Sequence, residues 1–305
     1  MSWHSQAGPG AGSRLKSVLQ RLLKPLCLVL GLGLLTWMVL QAGPRQLWDT
    51  LCSMPGTILL CVMVWGSGYL LNAASFREVL QAIHPEAAQL GFVRVLRLTV
   101  TGYAINYVTP FGLLGGEPYR VLALRPMMGT EKATRSVVLY STMHITSHFC
   151  FWALAALVAV FVYGWGRGDS ETTIAISFMG IVSLFDWRHL PPGPRYRALA
   201  YEFLSRMVNV LEYQLIMQAL GYDSFGYTDA FLCVAFSSLF ANVLFFSPMQ
   251  MGTREGGIFL VLQYLLPQLP SAELFPVALS LSFATRIREF IWIAIGMLGF
   301  RRVKY

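Results

Sequence analysis

Residues 106–120 of the chain read NYVTPFGLLGGEPYR, and residues 242–257 read NVLFFSPMQMGTREGG. Each segment runs from an asparagine through a proline that follows a hydroxyl residue, and each reaches a glutamate seven positions after that proline. Proline and glycine break helices, and broken helices occur at membrane depth only where protein encloses them or where they line a cavity. A pair of interrupted apolar segments in the two halves of a chain therefore indicates a transporter binding site.

The composition is that of a membrane protein. Of the 305 residues, 55% are hydrophobic and 12% are charged, whereas about 25% of the residues in a soluble domain are charged. The formal net charge is +8, but the basic residues lie in short segments between apolar stretches. Basic loops of this kind face the cytosol, so the charge favours a membrane topology over nucleic-acid binding.

Six apolar stretches have lengths close to the ~20 residues that cross a bilayer. They cover residues 25–42, 55–74, 136–163, 172–187, 199–220 and 277–300. Residues 1–24 form a basic, cytosolic N-terminal segment without an acidic residue, and residues 25–305 form a single transmembrane domain. The nearly neutral residues 43–54 are predicted to form an external loop.

Two further apolar stretches, residues 98–125 and 230–268, are interrupted by polar residues, proline and glycine. The first has basic residues on both sides, and the second has acidic residues on both sides. This pattern predicts two re-entrant hairpins that enter from the cytosolic and the external face, respectively. The expected fold is an all-α polytopic membrane protein with about six full transmembrane helices, two re-entrant helical hairpins in an inverted repeat, and both termini in the cytosol. Alternatively, each interrupted stretch is one kinked full span.

Ionisable residues within apolar stretches are functional candidates, because a charge at the bilayer centre costs at least ~2.5–3.5 kcal/mol. This criterion selects Glu117, Arg120, Arg206, Glu212, Arg254, Glu255, Arg286, Arg288 and Glu289. The predicted substrate-binding set is Asn106, Thr109, Pro110, Gly115, Gly116, Glu117, Arg120, Arg206, Asn242, Pro248, Gly252, Arg254, Glu255 and Arg286.

These residue types suit an anionic headgroup. The planar guanidinium of arginine can donate two hydrogen bonds to a phosphate, and helix N-termini after the two prolines would add backbone N–H donors. We expect Arg120, Arg254 and Arg286 to converge. Alternatively, Arg120 is a cytosolic anchor, and Arg286 pairs only with Glu255. The two motif glutamates could hold arginines, carry protons or cap the broken helices.

The sequence predicts neither a metal nor another cofactor. His144 and His148 lie one helical turn apart, but the sequence shows no third ligand beside them, so polar packing or a proton role is favoured. The chain has no HExxH, GxSxG or P-loop motif, and we expect it not to be an enzyme.

Residues 109–120, followed by Leu122 and Leu124, resemble the first motif of the lysylphosphatidylglycerol synthase transmembrane-region family, also called flippase-like. Its second motif, with Pro, Gly and Glu, resembles Pro248, Gly252 and Glu255. Residues 248–252 read PMQMG in place of the family's Pro-Gly-Gly-hydrophobic-Gly, which alters the tight turn. The resemblance extends over residues 15–300.

The family includes the lipid-flipping half of the bacterial multiple peptide resistance factor, which also carries a soluble aminoacyl-transfer domain. The chain ends at Tyr305 without such a domain, so the resemblance implies translocation of a lipid and not its aminoacylation. We expect a flippase of the bacterial cytoplasmic (inner) membrane that moves an anionic lipid or lipid-linked headgroup. The candidates are a phospholipid, an aminoacyl-phosphatidylglycerol and a polyprenyl phosphate.

Two other functions are compatible with the residues. A small-solute or ion-coupled secondary transporter would need a closed polar cavity, whereas a lipid path needs a side opening. A non-transporting scaffold for lipid- or glycan-biosynthesis enzymes would tolerate substitutions in the site. The expected partners are membrane lipids and not nucleic acid, and the glycines at 31, 33, 66 and 68 permit the close helix packing of a homodimer.

Overall fold

The structure is a computed structural model that describes residues 44–108, 115–164, 190–243, 250 and 252–300, together with Thr36 and Leu40. Within these residues all regular structure is helical, which confirms the all-α fold. The helices are α1 (Pro44–Ser53), α2 (Pro55–Ile83), α3 (Phe92–Val108), α4 (Gly116–Tyr163), α5 (Pro192–Ala219), α6 (Tyr227–Val243), α7 (Thr253–Leu265) and α8 (Ser271–Phe300). The predicted span at 172–187 lies outside the described residues, and the span at 25–42 is described only at Thr36 and Leu40.

Residues 43–54 were predicted to form an external loop, but most of this segment forms the helix α1. Pro44 occupies the first helical position, where its missing N–H has no intrahelical partner to lose. Leu51 is buried and Trp48 is exposed, so the helix has one apolar side that contacts the rest of the protein. The segment is too short and polar for a span, but an amphipathic helix needs only one apolar face.

Helix α2 is longer than the predicted span 55–74 and continues to Ile83. It ends there because His84 has an extended backbone, with φ −140° and ψ 96°, and precedes Pro85. The ring of a proline disfavours the helical conformation in the residue before it. The short 3-10 helix Pro85–Gln89 then leads into α3.

Helix α4 is broken at Gly129, where φ is 78° and ψ is 164°. Only glycine adopts this backbone conformation at low cost, because any Cβ would clash with its own main chain. The break separates a first limb, residues 116–128, from a long helix over residues 130–163. The predicted third span, 136–163, corresponds to the long second part.

Two helical pairs share the same construction. The first pair consists of α3, which has 17 residues, and the first limb of α4. Here Gly116 lies against Gly102, and Arg120 reaches the carbonyl oxygen of Thr99, so the two helices are antiparallel. The second pair consists of α6, also with 17 residues, and α7, with 13 residues.

In the second pair the two helices also pack closely at a glycine. A Cβ added to Gly257 would lie 3.0 Å from Phe240 Cβ and 3.4 Å from Ser237 Cα. An α-helix rises about 1.5 Å per residue, so each helix of both pairs is about 20–26 Å long. The hydrocarbon core of a bilayer is about 30 Å thick. The four helices of the two pairs are therefore shorter than the core.

Among the described residues, two helices are long and apolar enough to cross a membrane by length and composition, Pro55–Ile83 and Gly116–Val162. Helices α5 and α8 have 28 and 30 residues, or about 42 and 45 Å, but charged residues interrupt their apolar sequence. Most of these charged residues are buried within the helix bundle, where they form the candidate site.

Candidate functional site

The first motif begins with a contact across the helix break. The backbone N–H of Gly116 donates to Asn106 Oδ1 at 2.5 Å, which connects the start of α4 to the end of α3. Gly116 packs directly on the backbone of Gly102, and a Cβ at position 116 would overlap the carbonyl group of Gly102. Gly115 precedes the helix, whereas Thr109 and Pro110 lie outside the described residues.

The first ion pair joins Arg120 to Glu117, with 2.9 Å between Arg120 Nη1 and Glu117 Oε1. The Arg120 side chain is 1% exposed, which excludes a role as a cytosolic anchor. Its guanidinium lies 5.0 Å from the ring centre of Tyr103 and 5.3 Å from that of Tyr140. Gly102 provides the space, because a Cβ there would be 2.5 Å from Arg120 Nε.

The second motif is organised around the fully buried Glu255. Its Oε1 accepts hydrogen bonds from Arg286 Nε at 2.9 Å, from Arg286 Nη2 at 2.7 Å and from Ser282 Oγ at 2.6 Å. Its Oε2 accepts the backbone N–H of Gly252 at 2.8 Å, just before α7 begins. Glu255 therefore binds an arginine of α8 and caps the broken helix at the same time.

Two more ion pairs lie on α8, beside the second motif. Arg254 Nη1 is 2.7 Å from Glu289 Oε1, and Arg288 holds both oxygens of Glu212 at 2.7 Å each. Arg288 Nη1 is also 3.8 Å from Glu289 Oε1. These contacts join α5, α7 and α8 in one charged network.

A third group surrounds Arg206. Its Nε donates to Ser147 Oγ at 2.8 Å, its Nη1 bonds to His148 Nε2 at 2.7 Å, and its Nη2 donates to the carbonyl oxygen of His144 at 2.8 Å. The Nδ1 atom of His144 is 2.8 Å from Glu202 Oε2. Within the described ranges, no group of three His, Cys, Asp or Glu side chains is arranged to hold a metal ion.

The predicted arginines occupy two places. Arg254 and Arg286 lie in the network of α7 and α8, whereas Arg120 lies in the first pair with Glu117. Aromatic rings connect the two places: the ring of Tyr69 is 5.6 Å from that of Tyr103 and 4.9 Å from that of Trp292. The expected convergence of the three arginines at one point is therefore only partly realised.

The two asparagines differ despite their matching positions. Asn106 bonds across the break, but Asn242 Nδ2 donates to the carbonyl oxygen of Ser238 in its own helix, at 2.7 Å. Pro248 lies outside the described residues. Gln250 has a left-handed backbone, with φ 55°, at a position where the family motif has glycine, and Gly252 has φ 77°.

Sequence reasoning missed several members of the site. Glu202 is fully buried within the predicted span 199–220. An acidic residue in an apolar span was the signal that could have identified it as a site residue. Tyr103 and Tyr140 carry no charge, so no sequence pattern separated them from the many other aromatic residues. Ser282 was missed for the same reason, as was Trp65, whose ring centre lies 3.6 Å from the guanidinium carbon of Arg288.

The described residues are helical, and two of their helices are long and apolar enough to cross a membrane, as in an integral membrane protein. The chain belongs to the lysylphosphatidylglycerol synthase TM region family, which matches residues 26–187, just over half of its length. The match includes the first motif and ends before the second. A comparison with curated proteins gave no match.

Proposed function

We propose that this protein is a flippase that moves an anionic lipid or lipid-linked headgroup between the leaflets of the bacterial cytoplasmic membrane. One observation carries the proposal: in both short helical pairs the second helix begins, just after the break, with a glutamate that binds an arginine inside the bundle. Glu117 binds Arg120 of its own helix, and Glu255 binds Arg286 of α8. Interrupted helices with inward-facing helix ends form the binding sites of many membrane transporters. Membership of a family described by a lipid synthase membrane region agrees with a lipid substrate.

In this proposal the two pairs are re-entrant hairpins that enter from opposite faces, and both chain termini are cytosolic. The short length of the four helices supports this arrangement, since none reaches the thickness of the hydrocarbon core. Exposed Arg94 and Arg125 lie at the open end of the first pair, and exposed Asp223 and Glu273 flank the second. Positive charge marks the cytosolic side.

An apolar cleft favours a lipid over a small solute. The cleft has a volume of about 450 Å³ and opens at the surface of the bundle between α2, α3 and α8. Val62, Leu70, Leu96 and Trp292 contribute to its almost wholly apolar lining. Such a cleft can accept an acyl chain. A small-solute transporter would need a closed polar cavity instead.

The proposal is tested with purified full-length protein in liposomes that contain a trace of fluorescent phosphatidylglycerol, whose leaflet is read by chemical quenching. Glu117→Gln and Glu255→Gln keep the side-chain size but remove the charge. Loss of a charged hydrogen bond costs about 1.5–3 kcal/mol, so we expect flipping to slow about tenfold or more. Glu131→Gln and Glu273→Gln, at exposed positions, are matched controls that should flip at the wild-type rate.

Two results would contradict the flippase. Equal rates for the wild type and both motif variants would remove the glutamates from the transport step. No flipping by the wild-type protein, together with transport of a small solute or with intact support of a biosynthetic enzyme, would favour the transporter or scaffold alternatives. Mass spectrometry of lipids that copurify with the protein would identify the headgroup.

A further inference from the structure

Among the described residues, the ion pairs and hydrogen-bonded networks of the candidate site contain five basic and five acidic side chains. The basic members are Arg120, Arg206, Arg254, Arg286 and Arg288, and the acidic members are Glu117, Glu202, Glu212, Glu255 and Glu289. With neutral histidines, these five positive and five negative charges sum to zero. A bound monoanionic headgroup would therefore add one uncompensated negative charge to a buried site, which is strongly unfavourable.

One acid differs from the other four in its partner. Glu117, Glu212, Glu255 and Glu289 each have an arginine nitrogen within 2.9 Å. Glu202 instead pairs with His144, whose Nδ1 is 2.8 Å from Glu202 Oε2. Arginine keeps its proton under all physiological conditions, whereas histidine gains and loses a proton near neutral pH. The Glu202–His144 pair is thus the ion pair best suited to exchange a proton.

One carboxylate oxygen and one arginine define the surroundings of this pair. Glu202 is fully buried, and its Oε1 has no hydrogen-bond partner among the described residues. Arg206, one turn further along α5, directs its N–H groups to Ser147, to His148 and to the carbonyl oxygen of His144, and its Nη2 also lies 3.4 Å from His144 Nδ1. The other titratable and charged groups around the pair are Tyr69 on α2, Tyr103 on α3, and Arg120, Tyr140, His148 and Cys150 on α4.

The pair is also connected to the first motif. The hydroxyl of Tyr103 is 3.2 Å from His144 Nδ1 and 3.1 Å from the hydroxyl of Tyr140. Arg120 lies over the rings of both tyrosines. A change of charge on His144 therefore acts on Arg120 through a single intervening side chain. His144 is 20% exposed, whereas Glu202 is fully shielded.

We propose that Glu202 and His144 form a proton-binding site, and that one proton is taken up with each anionic headgroup and released on the opposite side. The inference rests on the proposed lipid transport and names its energy source. The added proton cancels the added negative charge, so the loaded interior is again neutral. The proton enters from the more acidic face and leaves to the less acidic one, and no covalent bond of the lipid changes.

The first experiment imposes a pH gradient on liposomes that contain the protein and a trace of fluorescent phosphatidylglycerol. With one proton per lipid, a gradient of about one pH unit should shift the steady-state ratio of the lipid between leaflets by about tenfold. Glu202→Gln should still move the lipid, but its ratio should stay near one. His144→Gln provides the same test if Glu202→Gln does not fold as judged by gel filtration.

Matched controls separate this effect from a general loss of charge or of histidine. Glu78→Gln removes the glutamate that pairs with the exposed Arg197, and His84→Gln removes a histidine that follows α2. Both should keep the tenfold ratio. A ratio that stays near one in the wild type, or that remains tenfold in both site variants, would overturn the proposal.

A second measurement does not depend on lipid movement. Infrared difference spectra between low and high pH should show a change in the carboxylate bands of Glu202 when the pair takes up a proton in the wild type, and no such change in Glu202→Gln. This signal without any lipid flipping would refute the proposed function and leave the proton site standing. Persistence of the signal in Glu202→Gln would refute the proton site, whatever the lipid does.

Discussion

Arg286 and Glu255 are joined by two hydrogen bonds that end on the same carboxylate oxygen. Arg286 Nε and Nη2 lie 2.9 and 2.7 Å from Glu255 Oε1, while the other oxygen accepts the N–H of Gly252. One buried carboxylate thus sets both the position of α8 and the start of α7. The roles of helix cap and arginine partner, which the sequence left as alternatives, are performed together.

Loss of this pair should destabilise the protein. Arg286→Gln leaves Glu255 as a buried charge without its main partner, and breaking a buried pair in this way costs about 3–5 kcal/mol. The double variant with Glu255→Gln should recover part of the loss, because no unpaired charge remains. Thermal unfolding in detergent measures both effects.

The ion pair of Arg197 and Glu78 provides the control. Its N–O distance of 2.8 Å is similar to the 2.7 Å of the Arg286–Glu255 pair, but the Arg197 side chain is 57% exposed. Removal of an exposed partner should leave the melting temperature almost unchanged. If Arg286→Gln and Arg197→Gln had equal effects, burial would not be what gives the Glu255 pair its importance.

A glycine lies next to each motif glutamate, and its replacement by alanine should change the stability in opposite directions in the two motifs. Gly116→Ala would place a methyl group against the backbone of Gly102, which cannot move aside, so we expect misfolding or a loss of several kcal/mol. Gly256 has open space around its Cβ position within α7. Gly256→Ala should stabilise the helix by about 0.5–1 kcal/mol. A melting temperature that Gly116→Ala leaves unchanged would show that the two helices do not approach this closely.

The turn before α7 carries strain that one substitution should relieve. Gln250 adopts φ 55°, a conformation that costs a non-glycine residue about 1–2 kcal/mol. Gln250→Gly retains the carbonyl group that Thr253 Oγ1 contacts and should raise stability by up to about 1 kcal/mol. Gly252→Ala, at φ 77°, should have the opposite effect. Equal melting temperatures for all three proteins would argue against this turn.

The proposed hairpins predict which side of the membrane reaches each end of the first pair. Val93 and Met127 are exposed and lie on the two helices of this pair. In a protein without native cysteines, Val93→Cys and Met127→Cys should both react only with a cytosolic, membrane-impermeant thiol reagent. Reaction from opposite sides would mean that the segment crosses the membrane, and the inverted repeat would be lost.

Much of the fold was accessible from the sequence, because its signals are local. Apolar stretches and basic flanks predicted a helical membrane protein, and proline and glycine predicted where helices break. The helix boundaries were predicted less accurately. Helix α2 continues to Ile83, where it ends because Pro85 disfavours the helical conformation of His84. Helix α1 was missed because an amphipathic helix does not have the hydropathy of a membrane span.

The sequence by itself determined that the chain is a helical membrane protein, which segments are interrupted, and which charged residues stand out in apolar sequence, apart from the missed Glu202. Composition and residue order alone carry this information. Only the tertiary structure decided the partners. Arg288 binds Glu212, 76 positions away, and His144 binds Glu202, 58 positions away. In a low-dielectric interior the partner decides whether a charge is fixed or can exchange a proton. That choice depends on how helices pack, which no local pattern encodes.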